Sequence, residues 1–292
     1  MIMYKQIERN KRHTVFIVAG FIVFVLAVGA AITYLMAGEI FTGMILALVL
    51  GGAYTAMMLM SSTNVVMRMN HAHEVKDGSE HRRLWDAVGN MAMVARIPRP
   101  RLFIIKDSSP NAFATGTSPE KGAVAVTTGL LDRLNHEEIE GVIAHEVAHI
   151  RNYDIRLSTI AVALVSVVAI ISDLGIRMMF FSRGGNNNNK HPIMLIFALI
   201  LVIIAPLVAM MIRMAISRNR EYLADASAVE LTRNPGALAR ALEKITGVSQ
   251  PVSEASGASA SIYFADPLKR KTAQLFSSHP PPQERIERLY NM

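Results

Sequence analysis

Long apolar segments alternate with polar segments along this chain, and their lengths predict helices that cross a membrane. The uncharged run at residues 14–36 is 23 residues long, enough to span roughly 30 Å of hydrocarbon as a helix. Three more apolar runs follow, at residues 40–60, about 158–176 and about 193–212. Only three residues separate the first two runs, so we expect an antiparallel hairpin there. The pattern therefore predicts four transmembrane helices.

The first apolar run has an alternative interpretation as a cleaved signal peptide. The apolar core of a signal peptide is shorter, about 7–15 residues. A second long apolar run also follows almost at once. Both observations favour a helix that stays in the mature protein.

Basic residues orient the predicted helices. The chain has a net charge of +7 and only 18% charged residues, and Lys and Arg crowd the ends of the apolar runs. Because basic residues favour the cytoplasmic side of a membrane, three segments are predicted to face the cytoplasm: residues 1–13, 61–157 and 217–292. No long Lys/Arg tract is present, so the basic balance indicates contact with a lipid bilayer and argues against nucleic acid.

The polar parts of the chain have the pattern of a small α+β fold. Helical spacing of apolar residues predicts a helix over residues 80–96. Short apolar runs bounded by Gly, Ser, Pro and Asn predict about three strands, at residues 101–106, 111–115 and 122–127. A second helix is expected over residues 136–153, because Asn135 and Glu138 have the spacing of a capping box.

The predicted fold class follows from these elements. It is mainly α with a small β-sheet (α+β), within an integral membrane protein that has four transmembrane helices. Four segments are predicted: an N-terminal transmembrane hairpin at 1–61, a cytoplasmic part at 62–157, a second transmembrane hairpin at 158–216 and a second cytoplasmic part at 217–292.

The sequence His-Glu-Val-Ala-His, from His145 to His149, carries the clearest chemistry. Two histidines four residues apart lie on one face of a helix, so both imidazoles can bind one zinc ion. Glu146 is turned about 100° from His145 around the helix, where it can reach a water molecule without binding the metal. The alternative is a chance match on an exposed helix. The capping box, and the small Ala144 and Ala148 beside the histidines, argue against it.

A catalytic zinc site needs a third protein ligand, and the chain has no Cys to supply one. Glu221 and Asp225 lie four residues apart on a predicted helix, so one can bind the metal while the other supports a ligand histidine. The alternative is an exposed acidic face beside Arg218 and Arg220. Topology favours a metal site with Glu221 as the ligand, because a pair of membrane helices returns the chain to the side where His149 left it.

Several segments together resemble a known family. They are residues 111–116 (Asn-Ala-Phe-Ala-Thr-Gly), residues 142–149 with Asp154, residues 221–225, and residues 279–282 (His-Pro-Pro-Pro) with Arg285. Their order and the four apolar runs resemble the M48 family of zinc endopeptidases, most closely its bacterial HtpX-type membrane proteases. The resemblance implies a gluzincin-like metalloprotease domain with one Zn²⁺ per subunit. It also implies a multi-pass protein of the bacterial plasma membrane that cleaves misfolded or damaged membrane proteins at the cytoplasmic face.

The resemblance also implies roles for single residues. Asp225 and Asp154 would support the ligand histidines. His279 would stabilise the oxyanion, and Arg285 would lie nearby and help to bind the substrate. From the residues alone, a His before three prolines is more often part of a rigid turn than a catalytic group. An edge strand would bind the substrate as an added β-strand; it is made of Asn111, Ala112, Phe113 and Ala114.

Two alternatives to this function stay open from the sequence. A zinc-stabilised membrane scaffold or adaptor without activity explains the ligands but gives Glu146 no role. A dedicated peptide-processing protease of the same family would differ only in its substrate. The expected partners are membrane-protein or unfolded polypeptide substrates, further copies of the chain in self-cleavage, and the lipid bilayer.

Overall fold

The computed structural model describes residues 2–165, 218–253, 255, 259–268 and 280–292. This part of the chain is mostly helical and contains one small mixed sheet, as the sequence predicts. Most of the third predicted membrane helix and all of the fourth lie outside the described residues. The predicted boundaries between the four segments are not tested by the structure and stay predictions.

The N-terminal part is a helical hairpin. Helix α1 (Ile2–Ala37) is followed by α2 (Phe41–Leu46), a π-helical turn (Ala47–Gly51) and α3 (Gly52–Met60). Two stretches in it are long and apolar enough to cross a membrane, Asn10–Ala30 and Phe41–Met58. The second lies within the second predicted span, and the first overlaps the first predicted span but begins four residues earlier.

Glycines let the two arms of the hairpin approach closely. A β-carbon added at Gly29 would lie 2.6 Å from the Gly43 carbonyl oxygen, too close to fit without movement of the backbone. Small residues at such crossings are typical of helices packed in membranes.

The sheet has four strands in the order β1-β2-β4-β3, and the sequence predicted three of them. The strands are β1 (His73–Val75), β2 (Arg101–Ile105), β3 (Ala112–Thr115) and β4 (Ala123–Thr127). Strands β2 and β4 are parallel, whereas β1 and β3 are antiparallel neighbours at the two edges. The missed strand β1 is three residues long and largely exposed, so it lacks an apolar alternation.

Both faces of the sheet are covered, which explains why strands β2 to β4 have nearly continuous apolar sequences. One face, with Leu102, Val124 and Ala114, packs into the main core together with the helices. The other face, with Phe103, Phe113 and Ala125, packs against a second apolar cluster that includes Val66 and Val162.

Helices cover the sheet and connect it to the hairpin. They are α4 (Ser62–Met69), α5 (Arg82–Ala95), α6 (Thr128–Arg133), α7 (His136–Arg151), α8 (residues 154–165), α9 (Arg218–Thr232), α10 (Pro235–Thr246) and α11 (Pro282–Tyr290). Helix α7 begins with the predicted capping box, since Asn135 accepts from the Glu138 backbone and Glu138 accepts from the Asn135 backbone.

Helix α7 lies at the centre of this arrangement. It contacts α5, α9, α10 and strand β3, and most of its residues are buried. One apolar core joins residues from both predicted cytoplasmic segments, for example Val142 of α7, Leu242 of α10 and Leu289 of α11. The functional side chains of α7 are therefore held by packing on several sides.

Candidate metal centre

Helix α7 brings His145 and His149 together on one face, as their spacing predicts. Their Nε2 atoms lie 3.1 Å apart, and the two rings are nearly perpendicular. His145 is completely buried and the His149 side chain is 15% exposed. The pair thus sits at the bottom of the site, with one histidine reachable from solvent.

Glu221, near the start of α9, completes the group. Its Oε1 lies 3.4 Å from His149 Nε2, and its Oε2 lies 3.6 Å from His145 Nε2. Among the described residues, these three side chains form a group whose ligand atoms all lie within 4.8 Å of one another. The structure therefore brings together the three residues that the sequence predicts as metal ligands.

The donor set fits a metal ion. Four ligands placed tetrahedrally at about 2.0–2.2 Å from a metal are about 3.3–3.6 Å from one another, and the three distances here lie close to that range. Burial lowers the pKa of His149, but hydrogen bonds and charge from Asp154 and Glu221 outweigh it and raise that pKa well above its ordinary value. The surroundings thus favour a positive charge at this point, which a bound cation would supply.

A carboxylate supports each ligand histidine from behind. Asp225 Oδ1 lies 3.0 Å from His145 Nδ1, and Asp154 Oδ2 lies 3.2 Å from His149 Nδ1. A histidine that donates its Nδ1–H to a carboxylate leaves the Nε2 lone pair for the metal. Both aspartates therefore hold the tautomer and orientation that a metal site requires, in the positions expected from the sequence.

Glu146 lies beside the ligands without belonging to the group. It is buried, and desolvation raises the pKa of its carboxyl despite the opposing effect of the two histidines. The Ala114 backbone of strand β3 lies close to this carboxyl and acts against the effect of burial, favouring the charged form. Glu146 therefore stands between the ligand histidines and the edge of the sheet, where it can exchange a proton with a group bound at either.

Residues 79–292 match the model of peptidase family M48. The chain belongs to this family. The matched range contains the three ligand residues, Glu146 and both supporting aspartates.

Similar proteins extend the relationship to the N-terminal hairpin. A protease HtpX homolog of Listeria monocytogenes serotype 4b is 58% identical over 304 aligned residues, and a protease HtpX homolog of Ligilactobacillus salivarius is 51% identical over 297; both alignments cover the two chains completely. Among solved structures, Ste24p of S. mikatae aligns with a TM-score of 0.47 and 18% identity, covering 98% of this chain and 66% of that chain. The chain is thus a membrane metalloprotease, which favours catalysis over a non-catalytic scaffold.

The predicted substrate strand of this M48 protease pairs with another part of the same chain. Phe264 N–H donates to the Ala112 carbonyl at 2.8 Å, and Phe113 and Tyr263 form an antiparallel bridge. The Asn111 side chain binds both backbone groups of Ala265, at 2.9 and 3.2 Å. Residues 263–265, which we call the strap, therefore lie along the outer edge of β3. A role for residues 111–114 in binding substrate stays a prediction.

The predictions for Arg285 and His279 have different outcomes. Arg285 is buried, and its guanidinium pairs with Asp225 and lies 3.5 Å from Glu221 Oε2. These contacts place Arg285 behind the ligands, whereas the prediction put it beside the substrate; a direct contact with substrate stays untested. His279 lies outside the described residues, so its role as an oxyanion donor also stays a prediction.

Three residues near the M48 site were missed by the sequence analysis. The ring of Phe264 meets the His145 ring edge to face, with centroids 4.9 Å apart. Asn10 donates to Asp154 Oδ1 at 2.8 Å. Arg220, which the alternative of an exposed acidic face would place at the surface, is buried and lies 4.0 Å from the same carboxylate. No pattern along the chain indicates these contacts, because each depends on how distant segments pack.

Proposed function

We propose that the chain is a zinc-dependent endopeptidase that cleaves misfolded or damaged membrane proteins at the cytoplasmic face of the bacterial plasma membrane. The observation that carries this proposal is the juxtaposition of three elements. His145, His149 and Glu221 form the ligand group, Glu146 lies beside it, and Glu146 lies next to the backbone of the edge strand β3.

Zinc is the metal that the ligand group favours. Two imidazoles and one carboxylate, with a vacant fourth position, form a catalytic zinc site in many hydrolases. When bound there, zinc would supply a Lewis acid that polarises a peptide carbonyl and makes water more acidic. Asp225 and Asp154 would hold the two imidazoles in the orientation that this ion needs.

Glu146 would act as the general base and then as the general acid. Its carboxylate accepts a proton from the attacking water and returns it to the nitrogen of the leaving amine. Burial raises the pKa of Glu146, which makes the carboxylate a better proton acceptor than an exposed glutamate. The carboxylate lies between the ligand group and the edge strand, next to the Ala114 backbone.

An extended polypeptide fits the edge of β3. Ala112 directs its carbonyl to the strap, and Ala114, two residues further on, lies next to Glu146. Alternate residues of an antiparallel strand turn their backbone groups to the same side, so those of Ala112 and Ala114 point away from β4. A substrate strand paired at Ala114 would place a peptide bond beside Glu146. Binding by strand addition requires an unfolded segment, and pairing at Ala112 requires the strap to move.

The position of the site supports a membrane substrate. Asn10, the first residue of the first apolar stretch, contacts Asp154 of the metal site. The exposed Lys11 and Arg12 lie beside it, and basic residues favour the cytoplasmic side. The chain would therefore cut polypeptides that emerge from the bilayer next to it, including further copies of itself.

The test is cleavage by the full-length protein purified in detergent with zinc. An unfolded membrane protein should be cut, chelator should abolish cutting, and zinc should restore it. Glu146→Gln should keep zinc and lose cleavage by a factor of at least about 100. Equal cleavage by wild type and Glu146→Gln would overturn the general-base assignment. Zinc binding without cleavage of any unfolded membrane protein would overturn the proposed substrate class.

A further inference from the structure

A buried asparagine of the first membrane helix lies next to the metal centre. Asn10 is 2% exposed, and its side-chain Nδ2 donates to Asp154 Oδ1 at 2.8 Å. The two residues are 144 positions apart in the chain. A buried amide that points at a single carboxylate is a specific contact, since both groups lose hydration in making it.

Asp154 uses its second oxygen to hold a ligand histidine. Asp154 Oδ2 lies 3.2 Å from His149 Nδ1, while Oδ1 accepts from Asn10 and lies 4.0 Å from Arg220 Nε. The Asn10 bond fixes the rotation of the carboxylate about its own axis, and that rotation determines where Oδ2 points. Asn10 thus influences His149 through one intermediate group.

Local structure places Asp154 between the two partners. Tyr153 adopts a left-handed backbone conformation, with φ of 59°, so the chain turns sharply between α7 and α8. Asp154 is the first residue of α8. Apolar packing of Ile17 and Phe21 of α1 with Leu157 and Ile160 of α8 fixes the position of α1 against α8. The Asn10 amide therefore meets Asp154 as a consequence of helix packing.

We propose that Asn10 is a positioning residue of the metal centre, which acts through Asp154 to orient His149. The membrane hairpin is then part of the catalytic unit as well as its anchor. This inference rests on the proposed metal centre. Groups that orient metal ligands typically change metal affinity about 10- to 100-fold when they are removed, so a loss in that range is expected here.

The chain offers a matched control in Thr14. Thr14 lies one helical turn after Asn10, is also buried, and donates to the Asn10 carbonyl within α1. Thr14→Val removes a buried hydroxyl from the same helix but leaves the contact with Asp154 in place. Asn10→Asp is the second test variant, because it keeps the shape of the side chain while replacing the amide donor by a second carboxylate.

The experiment measures Zn²⁺ affinity by chelator competition on full-length protein in detergent, with Glu146→Gln present throughout to prevent cleavage. Asn10→Ala should weaken binding about 10- to 100-fold, Asn10→Asp should weaken it at least as much, and Thr14→Val should stay within about twofold of the parent. Thermal unfolding of each metal-free variant separates a change in affinity from a change in folding.

Three results would overturn the proposal. They are unchanged zinc affinity and unchanged unfolding temperature in both Asn10 variants, unchanged affinity with a lowered unfolding temperature, and a loss of affinity in Thr14→Val equal to that in Asn10→Ala. The second would make Asn10 a purely structural residue. If the Glu146→Gln parent itself binds no zinc, the proposed metal centre fails as well, which distinguishes the two failures.

Discussion

Arg285 donates two hydrogen bonds to Asp225, from Nε to Oδ2 at 2.8 Å and from Nη2 to Oδ1 at 2.7 Å. Both side chains are buried, and Asp225 Oδ1 also lies 3.0 Å from His145 Nδ1. The planar fork of Arg matches a carboxylate at both oxygens. The guanidinium thus orients the carboxylate that orients His145, a candidate metal ligand, and it compensates the charge that Asp225 brings into the core.

This pair predicts a loss of stability in acid. Burial raises the pKa of Asp225, but Arg285 and His145 outweigh it and lower that pKa from 3.8 to about 2. A group whose pKa is lower in the folded than in the unfolded protein stabilises the fold at pH values above its unfolded-state pKa. This stabilisation is lost as the pH falls towards the folded-state pKa. Between pH 5 and pH 2, the metal-free protein should lose about 2 kcal/mol of unfolding free energy through this group.

Asp225→Asn provides the comparison for the acid effect. Urea unfolding in detergent should show that the variant is less stable at neutral pH, by about 3–5 kcal/mol, because the buried Arg285 loses its counter-charge. Its stability should also fall less steeply below pH 5 than that of the wild type. Parallel pH curves for the two proteins would show that Asp225 does not carry the effect.

Glu221→Ala should remove the third metal ligand. We expect zinc affinity to fall by more than about 100-fold, beyond the effect of losing a supporting group, and protease activity to be lost with it. Glu230→Ala is the control, since Glu230 is exposed on the same helix and should bind zinc normally. Chelator competition measures both, and undiminished binding by Glu221→Ala would remove this residue from the site.

A single methyl group added where the two arms of the hairpin cross should lower the stability of the protein. Gly29→Ala places a β-carbon against Gly43 and Ala47, and overpacking of this kind costs about 1–3 kcal/mol. Gly20→Ala, on the same helix, meets nothing within 4 Å and should be neutral or slightly stabilising. Thermal unfolding in detergent compares the two variants. Equal stability would show that the close contact at Gly29 can accept a methyl group without loss of stability.

The strap should compete with substrate for the edge of β3. Tyr263 Oη donates to Asn70 Oδ1 at 3.0 Å, and a hydrogen bond of this kind contributes about 0.5–1.5 kcal/mol. Tyr263→Phe should therefore release the strap more often and lower KM for an unfolded polypeptide about 2- to 10-fold, with kcat unchanged.

The control is a second Tyr→Phe variant, at a tyrosine outside the strap, measured by the same steady-state kinetics. Tyr290 Oη bonds Glu243 on the protein surface, so Tyr290→Phe should leave both kinetic constants unchanged. A KM for Tyr263→Phe equal to that of wild type, or raised above it, would mean that the strap does not obstruct substrate.

Features determined by neighbouring residues could be predicted from the sequence. The capping box at Asn135 and the convergence of His145 and His149 depend on one or two helical turns, whose geometry is constant. The two long apolar stretches of the N-terminal hairpin follow from composition over about 20 residues. Glu221 was also predicted, because the absence of Cys and the return of the chain through a hairpin left few candidates.

Contacts between distant segments were decided only by the tertiary structure. Strand β1 exists because His73 pairs with Ile104, and three exposed residues carry no pattern of their own. The bond between Asn10 and Asp154, and that between Asn111 and the strap, join residues 144 and 154 positions apart. Such contacts depend on how the helices and the sheet pack around a common core, so the sequence determined the ligand types and their local geometry, whereas packing selected the groups that orient them.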